Sequence, residues 1–463
     1  MINIVFRKMT KTNRFFTTII CLLLLCNLAW AQDYPQYYTL DEMPDAGIFL
    51  PAPPAFDSPL FANDFYKWQW GKTQRDTERG LMASLDSEKN VRRMAEIYGE
   101  ILEIDITAEG TPAIWKFISR TSGTARYSVV KAKQKYMRIR PFVKMNEHVA
   151  SAFDDEERLR GNGSYPSGHT AYGWSVALAL AEMAPEYQDE ILRRGFQYGE
   201  SRVIVGAHWQ SDVDASRMAM AAAMARLHSS KEYMQDLAAA RAEYAKIKGF
   251  PKNPEMTGYP NGENIFDPMV DFNDFNYYAD LVTYWEAEKL RDTERGAQAL
   301  RDADGSVEAL MDCFNPYVGI TLSEKETPNI AALISMARQT LLSESSRMKA
   351  KGFRTRPYVQ LGEPTMVPED EEALANTSSF PSASSALGWG IALVLTEIAP
   401  EHQNEIMQRG YEYGYSRVIV GYHYSSDVLA GRFMATYVYT QMHNDPAFAK
   451  QMAKAKKEYS QKK

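Results

Sequence analysis

Gly163-Ser-Tyr-Pro-Ser-Gly-His169-Thr170 stops the chain in a turn and restarts it as a helix. Pro166-Ser167-Gly168 forms the turn, and the apolar run Ala171–Ala184 behind it repeats at three- and four-residue spacing. A Ser-Gly turn that opens a helix leaves several backbone N–H groups pointing outward. The helix dipole adds positive potential there, which suits an anion and above all phosphate. His169 sits in the first turn, where it can exchange a proton with whatever binds.

Helical spacing also runs through Ala113–Lys133 and Ala171–Met183, and Val213–Leu227 is rich in Ala and Met with few β-branched residues. The same pattern returns at Ala331–Lys349, Ala386–Ile398 and Val428–Met442, and alternating strand patterns are scarce. The return is a repeat. Arg75-Asp-Thr-Glu-Arg-Gly80 recurs as Arg291-Asp-Thr-Glu-Arg-Gly296, Arg138-Ile-Arg-Pro141 as Arg354-Thr-Arg-Pro357, and Ser201-Arg-Val-Ile-Val-Gly206 as Ser416-Arg-Val-Ile-Val-Gly421. A period this long marks a duplicated domain, not a solenoid unit. The expected architecture is all-α, with two tandem helical bundles over 32–248 and 266–463. The linker between them, 249–265, is rich in Pro, Gly and Asn.

Residues 1–31 read as a secretory signal peptide. They contain a basic start (Arg7, Lys8, Lys11, Arg14), an apolar core Phe15–Leu28 and the small-x-small site Ala29-Trp30-Ala31. The core is too short to span a bilayer comfortably. Cys26 follows Leu25 where a lipoprotein signal wants a small residue, so no lipid anchor is expected. Past residue 31 no stretch reaches membrane-spanning length without charges, so the mature chain is expected to be periplasmic or secreted and not inserted in a membrane. Of 52 Lys+Arg and 59 Asp+Glu, the leader removes four basic and no acidic residues, leaving an acidic chain. That balance argues against nucleic acid as a partner. An anionic ligand needs a local cluster of cations instead. Of three cysteines only Cys313 lies beyond the leader, so no intrachain disulfide is expected.

Three clusters in the first copy carry chemistry. They are Lys133 with Arg140-Pro141, Pro166-Ser167-Gly168-His169, and Ser201-Arg202 followed by His208 and Asp212. Phosphoryl transfer spreads negative charge over the equatorial oxygens, and catalysis is largely positioning plus fixed positive charge. Lys133, Arg140 and Arg202 supply charge, and the planar guanidinium matches phosphate oxygens in pairs. Ser167 and the Gly168 N–H add neutral donors. His208 and Asp212 lie one helical turn apart. A hydrogen bond between them would fix the imidazole tautomer and free its other nitrogen to attack phosphorus. His169 would then protonate the departing alkoxide. No His-x-His or paired-Asp metal motif accompanies them, and no cofactor or metal is expected.

These clusters resemble the signature of the type 2 phosphatidic acid phosphatase superfamily, which includes the vanadium haloperoxidases. The wording around residues 163–170, Ser201–Asp214 and Arg75–Gly80 looks more narrowly like bacterial class A non-specific acid phosphatases. The resemblance covers essentially each whole copy. It implies a secreted, metal-independent enzyme that hydrolyses small phosphomonoesters of many kinds through a phosphohistidine. By position, His208 resembles the nucleophile, Asp212 its orienting partner and His169 the proton donor. Lys133, Arg140, Ser167, Gly168 and Arg202 resemble the phosphate ligands. Class A relatives commonly associate as oligomers, so the fused copies are expected to pair within the chain, and a homo-oligomer is also open. A vanadium-dependent haloperoxidase and a phosphate-binding protein without turnover are the alternative functions.

The second copy keeps Lys349, Arg356, Ser382, Arg417, His423 and Asp427, but its motif reads Pro381-Ser-Ala-Ser384. Serine is a poor acid near neutral pH, and losing a general acid costs about 10²–10⁴ in rate. Ala383 is expected to crowd the oxyanion loop. This copy is therefore read as degenerate, either a packing partner or a regulatory phosphate site, with residual activity confined to aryl phosphates. His148, His228, His402 and His443 lack partners at ligand spacing and are expected at the surface. Met234–Lys248 and Phe448–Lys462 are expected as peripheral charged helices, Phe65–Trp70 as packing, and Phe142–Arg160 as a rim over the pocket.

Overall fold

The structure, a computed structural model, describes residues 34–463 apart from 154–155, 253 and 267–274. The leader lies outside the described residues. All regular elements among the described residues are helices. The first copy supplies α1 (Phe61–Gln74), α2 (Glu78–Leu85), α3 (Val91–Leu102), α4 (Pro112–Ala125), α5 (Val130–Tyr136), α6 (Gly168–Met183), α7 (Gln188–Ile204), α8 (Gln210–His228) and α9 (Lys231–Lys248). The second supplies α10 (Phe275–Glu288), α11 (Glu294–Arg301), α12 (Val307–Phe314), α13 (Pro328–Lys349), α14 (Ala383–Ile398), α15 (Gln403–Val420), α16 (Ser425–Met442) and α17 (Pro446–Lys462).

Local chemistry sets the boundaries. The Ser167 hydroxyl accepts the Thr170 N–H at the start of α6, and Ser382 accepts the Ser385 N–H at the start of α14. Pro112 and Pro328 open α4 and α13, where a missing N–H costs nothing. The helix expected over 113–133 is interrupted by a 3₁₀ turn at Arg126–Val129, whereas α13 runs unbroken through the equivalent stretch. The residues before the break, Thr121-Ser-Gly-Thr124, are weak helix formers, and their counterparts begin Ala337-Arg-Gln.

Helix α6 is the axis of the first copy. It is apolar nearly all round, and every residue from His169 to Met183 is buried. It packs on α4, α7 and α8. The approach to α7 is close because Gly173 lacks a side chain: a Cβ there would lie 2.2 Å from the Tyr198 ring. Gly388 and Tyr413 repeat this contact between α14 and α15.

One hydrophobic core runs through both copies. Helix α8 packs against α14 and α16. Phe196 and Phe433 meet edge-on with centroids 6.1 Å apart, and the Arg217 guanidinium lies 3.4 Å over Phe196. The Asp45 N–H donates to Asn404 Oδ1 at 2.8 Å, and Gln403 donates to the Glu42 carbonyl at 3.0 Å. The segment after α9 is tied to the first copy: Gln188 donates to the Gly258 carbonyl at 2.8 Å, and Asp189 accepts the Asn261 N–H at 2.9 Å.

Two expectations need correction here. His228 and His443 are not at the surface. They stack at 3.9 Å and 17° where the copies meet. His228 Nε2 lies 2.9 Å from Glu182, and His443 Nε2 lies 2.9 Å from Glu397. Arg241 and Lys456 add cations to the same two carboxylates, at 3.5 and 2.8 Å. Burial opposes protonation of His443, but the Glu397 charge and hydrogen bond, with Glu182 behind them, hold it above its ordinary value. The partners lie far away in sequence, which is why neighbour spacing did not show them. Second, α9 and α17 are not simply solvated. Each buries one stripe: Leu237, Ala240 and Tyr244 in α9, and Phe448, Met452, Ala455 and Tyr459 in α17. Of the aromatic run, Trp68 is buried and Phe65 is exposed. His148 is exposed beside Glu156, and His402 is half-buried. No helix among the described residues is long and apolar enough to cross a membrane.

Candidate active site

Four segments bring the first copy's clusters together. The last turn of helix α5 carries Lys133, whose ammonium donates to the Gly163 carbonyl at 2.6 Å. Arg140, just before a proline-opened turn, donates to the same carbonyl at 3.2 Å. It also donates to the Leu159 and Ala207 carbonyls, at 3.0 and 2.9 Å. Its Nη1 lies 3.0 Å from His208 Nε2. A guanidinium can only donate, so Nε2 accepts and the His208 proton sits on Nδ1. From α7, Arg202 donates to the Ser87 hydroxyl at 2.6 Å. The Ser87 carbonyl lies 3.0 Å from His169 Nε2, which must donate to it. The Ser167 N–H, at the mouth of α6, donates to the Asp212 carbonyl at 2.9 Å. Lys133 and Arg140 thus meet at the Gly163 carbonyl, Arg140 reaches His208, and Arg202 and His169 meet at Ser87; Arg140, Arg202, His169 and His208 are all buried.

Burial and the surrounding cations hold both histidines well below their ordinary pKa. For His208 burial acts first, then Arg140, Lys133 and Arg202. For His169 it is burial, then Arg202 and Lys89. Burial and Arg140 likewise depress Lys133. His208 is therefore neutral.

The Asp212 contact differs from the expected one. His208 Nδ1 and Asp212 Oδ2 are 3.5 Å apart, too far for a good hydrogen bond. Both Asp212 oxygens are engaged elsewhere: Oδ2 accepts the Trp209 N–H at 2.8 Å, capping α8, and Oδ1 accepts from Arg138 at 2.7 Å. Arg138 in turn donates to Asp64 at 2.8 Å, and Asp64 accepts both the N–H and the hydroxyl of Ser211, at 2.8 and 2.6 Å. Asp212 thus lies beside His208 as a member of this buried chain and not as its close hydrogen-bond partner. Arg138, Asp64, Ser87 and Ser211 are the residues that the motif clusters did not single out. Arg138 was visible in the repeated Arg-x-Arg-Pro, and Asp64 has a counterpart, Asp280, at the same shift.

The second copy reproduces the frame. Lys349 donates to the Ser378 carbonyl, and Arg356 donates to the Tyr422 carbonyl at 3.0 Å and lies 3.3 Å from His423 Nε2. His423 Nδ1 is 3.5 Å from Asp427, and Arg354 joins Asp427 and Asp280 at 2.6 and 2.8 Å. Arg417 donates to the Asp302 carbonyl at 3.2 Å instead of to a serine hydroxyl, because Ala303 stands where the first copy has Ser87. Ser384 stands where the first copy has His169. Burial lowers His423 to about 3. At Gly168, the equivalent position in the first copy, a Cβ would meet no protein atom within 4 Å.

A helical bundle centred on a Lys-Arg-Arg cluster with two buried imidazoles defines a class, and the chain belongs to it: the PAP2 superfamily, whose model matches residues 118–234 and 329–449. Both copies are thus members. More narrowly, the chain is similar to a non-specific acid phosphatase of Providencia stuartii, 43% identical over 217 residues that make up 46% of this chain and 87% of the relative. It is 38% identical to one of Salmonella typhimurium over 223 residues, 48% of this chain and 88% of the relative. An acid phosphatase of Zymomonas mobilis is 33% identical over 211 residues, 46% of this chain and 80% of the relative.

Proposed function

We propose that this phosphatase is exported and that its first copy hydrolyses small phosphomonoesters of many kinds through a phosphohistidine, without a metal. The observation that carries the reading is the His208 ring, whose unprotonated Nε2 faces Arg140 inside a ring of cations. Lys133, Arg140 and Arg202, with the Ser167 hydroxyl and the Gly168 N–H, hold the phosphoryl oxygens. His208 Nε2 attacks phosphorus as the ester P–O bond breaks. The leaving oxygen takes a proton from His169. Because the Ser87 carbonyl holds the Nε2–H, the donated proton comes from Nδ1. A water then attacks the phosphohistidine and gives its proton back to His169, releasing inorganic phosphate and free His208.

The bound dianion also resolves the low pKa of His169. Negative charge placed among these cations raises the imidazole toward the range in which it can act as an acid. A bell-shaped rate profile on the acid side follows. The second copy serves chiefly as a packing partner, with at most phosphate binding or slight activity on aryl phosphates. The direct test is p-nitrophenyl phosphate hydrolysis by His208→Ala, with EDTA added to wild type in parallel. Undiminished turnover in the variant sinks the nucleophile assignment, and loss of wild-type activity in EDTA sinks metal independence.

A further inference from the structure

We infer that Ser164 is a positioning residue for the nucleophile: its hydroxyl bridges Asp212 and His208, donating to Asp212 Oδ2 and accepting the ring Nδ1–H as His208 takes the phosphoryl group. The inference rests on the reaction proposed above and supplies the close partner that the His208 ring lacks.

The main chain of Ser164 is fixed by residues of the site. Its N–H donates to the Arg138 carbonyl at 2.8 Å, and its carbonyl accepts from the Lys133 ammonium at 3.4 Å. The same carbonyl adjoins the His208 ring and favours an N–H on it. The Ser164 side chain is fully buried. Among the described residues no hydrogen bond of good geometry reaches either the Ser164 hydroxyl or His208 Nδ1. A buried hydroxyl without a partner is costly, and an alanine there would avoid the cost.

The second copy shows where the hydroxyl goes. Ser379 is the equivalent residue, and its N–H donates to the Arg354 carbonyl at 2.9 Å. Its hydroxyl donates to Asp427 Oδ2 at 2.8 Å. The surroundings of the two carboxylates match. Oδ1 accepts from Arg138 at 2.7 Å in one copy and from Arg354 at 2.6 Å in the other. Oδ2 accepts the Trp209 N–H at 2.8 Å or the Tyr424 N–H at 2.9 Å, and the ring Nδ1 stands 3.5 Å away in both. With backbone and carboxylate placed alike, a rotation about the Ser164 Cα–Cβ bond brings its hydroxyl to Asp212 Oδ2.

A hydroxyl donates and accepts at once, whereas a carboxylate only accepts. In the resting ring the neutral Nδ1–H is a modest donor. Once Nε2 bonds to phosphorus the ring is cationic, and Nδ1–H becomes a charge-assisted donor that calls for an acceptor closer than the 3.5 Å of Asp212. Ser164 Oγ is that acceptor, and Asp212 Oδ2 receives the hydroxyl hydrogen. Each proton stays on its own atom, so the bridge steadies the ring without moving a proton.

The test is kinetic, on the full chain, with p-nitrophenyl phosphate as substrate and inorganic phosphate as inhibitor. Ser164→Ala should lower kcat/KM by about tenfold and leave the phosphate inhibition constant within about twofold, because the groups that hold the phosphoryl oxygens are untouched. In Asp212→Asn the same replacement should cost less than about twofold, since the bridge is already broken. An equal fall in both backgrounds overturns the inference, as does an unchanged kcat/KM or a phosphate constant that weakens in step. A second measurement needs no Asp212 variant. In protein labelled with ¹⁵N-histidine and bound to orthovanadate, a mimic of the transferring phosphoryl group, the His208 Nδ1–H should exchange with solvent about tenfold faster in Ser164→Ala than in wild type. Equal exchange overturns the bridge. Undiminished turnover in His208→Ala, assayed alongside, overturns the underlying reaction, whereas additivity with Asp212→Asn overturns the role of Ser164 alone.

Discussion

Replacing His169 with alanine separates general-acid catalysis from every other role of the site. The imidazole is buried in α6, and its Nε2–H is tied to the Ser87 carbonyl and not to a side chain proposed to hold the phosphoryl oxygens. Binding should therefore change little. Proton donation in the transition state is worth about 10²–10⁴ in rate, or about 2.7–5.5 kcal/mol of barrier. That sum is needed only when the leaving oxygen is basic. An alkoxide requires the proton, whereas a nitrophenolate departs almost without it. The assay is kcat/KM across phosphate monoesters with leaving groups from nitrophenols to simple alcohols, for wild type and variant. Wild type should depend weakly on the leaving group. His169→Ala should lose about 10³ on alkyl phosphates and less than about tenfold on nitrophenyl phosphate, and its pH profile should lose the limb set by the acid. A uniform loss across the series would refute the reasoning, because it would mean that His169 shapes the pocket.

Further outcomes follow from the same geometry. Asp64→Asn leaves Arg138 with one carboxylate in a buried chain, which should destabilise the protein by about 3–5 kcal/mol in urea unfolding and lower kcat more than it raises KM; a change in KM alone would deny Asp64 its positioning role. Transplanting Gly and His through Ala383→Gly/Ser384→His into His208→Ala should restore measurable hydrolysis from the second copy; no gain would mean that more than the acid has been lost. His423 is neutral in the fold down to about 3, while an unfolded histidine takes a proton near 6.5. Its contribution to stability is therefore complete above that value and is lost as pH falls below it. His423→Asn should flatten the acid limb of the stability curve between about pH 6.5 and pH 4, and an unaltered limb would remove His423 as a cause. His443 runs the opposite way. Its raised pKa makes it stabilising below about 6.5, a contribution lost as pH climbs through the folded value. His443→Gln should therefore cost more stability at pH 5.5 than at pH 8.5.

The duplicated segments made the helical fold readable, because Arg75–Gly80, Arg138–Pro141 and Ser201–Gly206 return nearly unaltered in the second copy. The cations and imidazoles were readable for a chemical reason: phosphate demands those side chains wherever the backbone puts them. What stayed hidden depends on partners far along the chain. Arg138 stood in the sequence only as part of a repeated Arg-x-Arg-Pro, and its tie to the site shows only in the fold, where Asp64 and Asp212 sit on its two arms. His228 looked like surface because Glu182 and His443 reach it only through the fold. The break at Arg126–Val129 hinges on four weak helix formers inside an otherwise regular apolar rhythm, and rhythm alone overrode them.

The stacked pair His228 and His443 has a consequence for dilution. Two copies joined by a short tether meet at an effective concentration in the mM range, so their shared core does not come apart on dilution. One half of the molecule can then lose its reactive groups to mutation while still being required to wall up the other half.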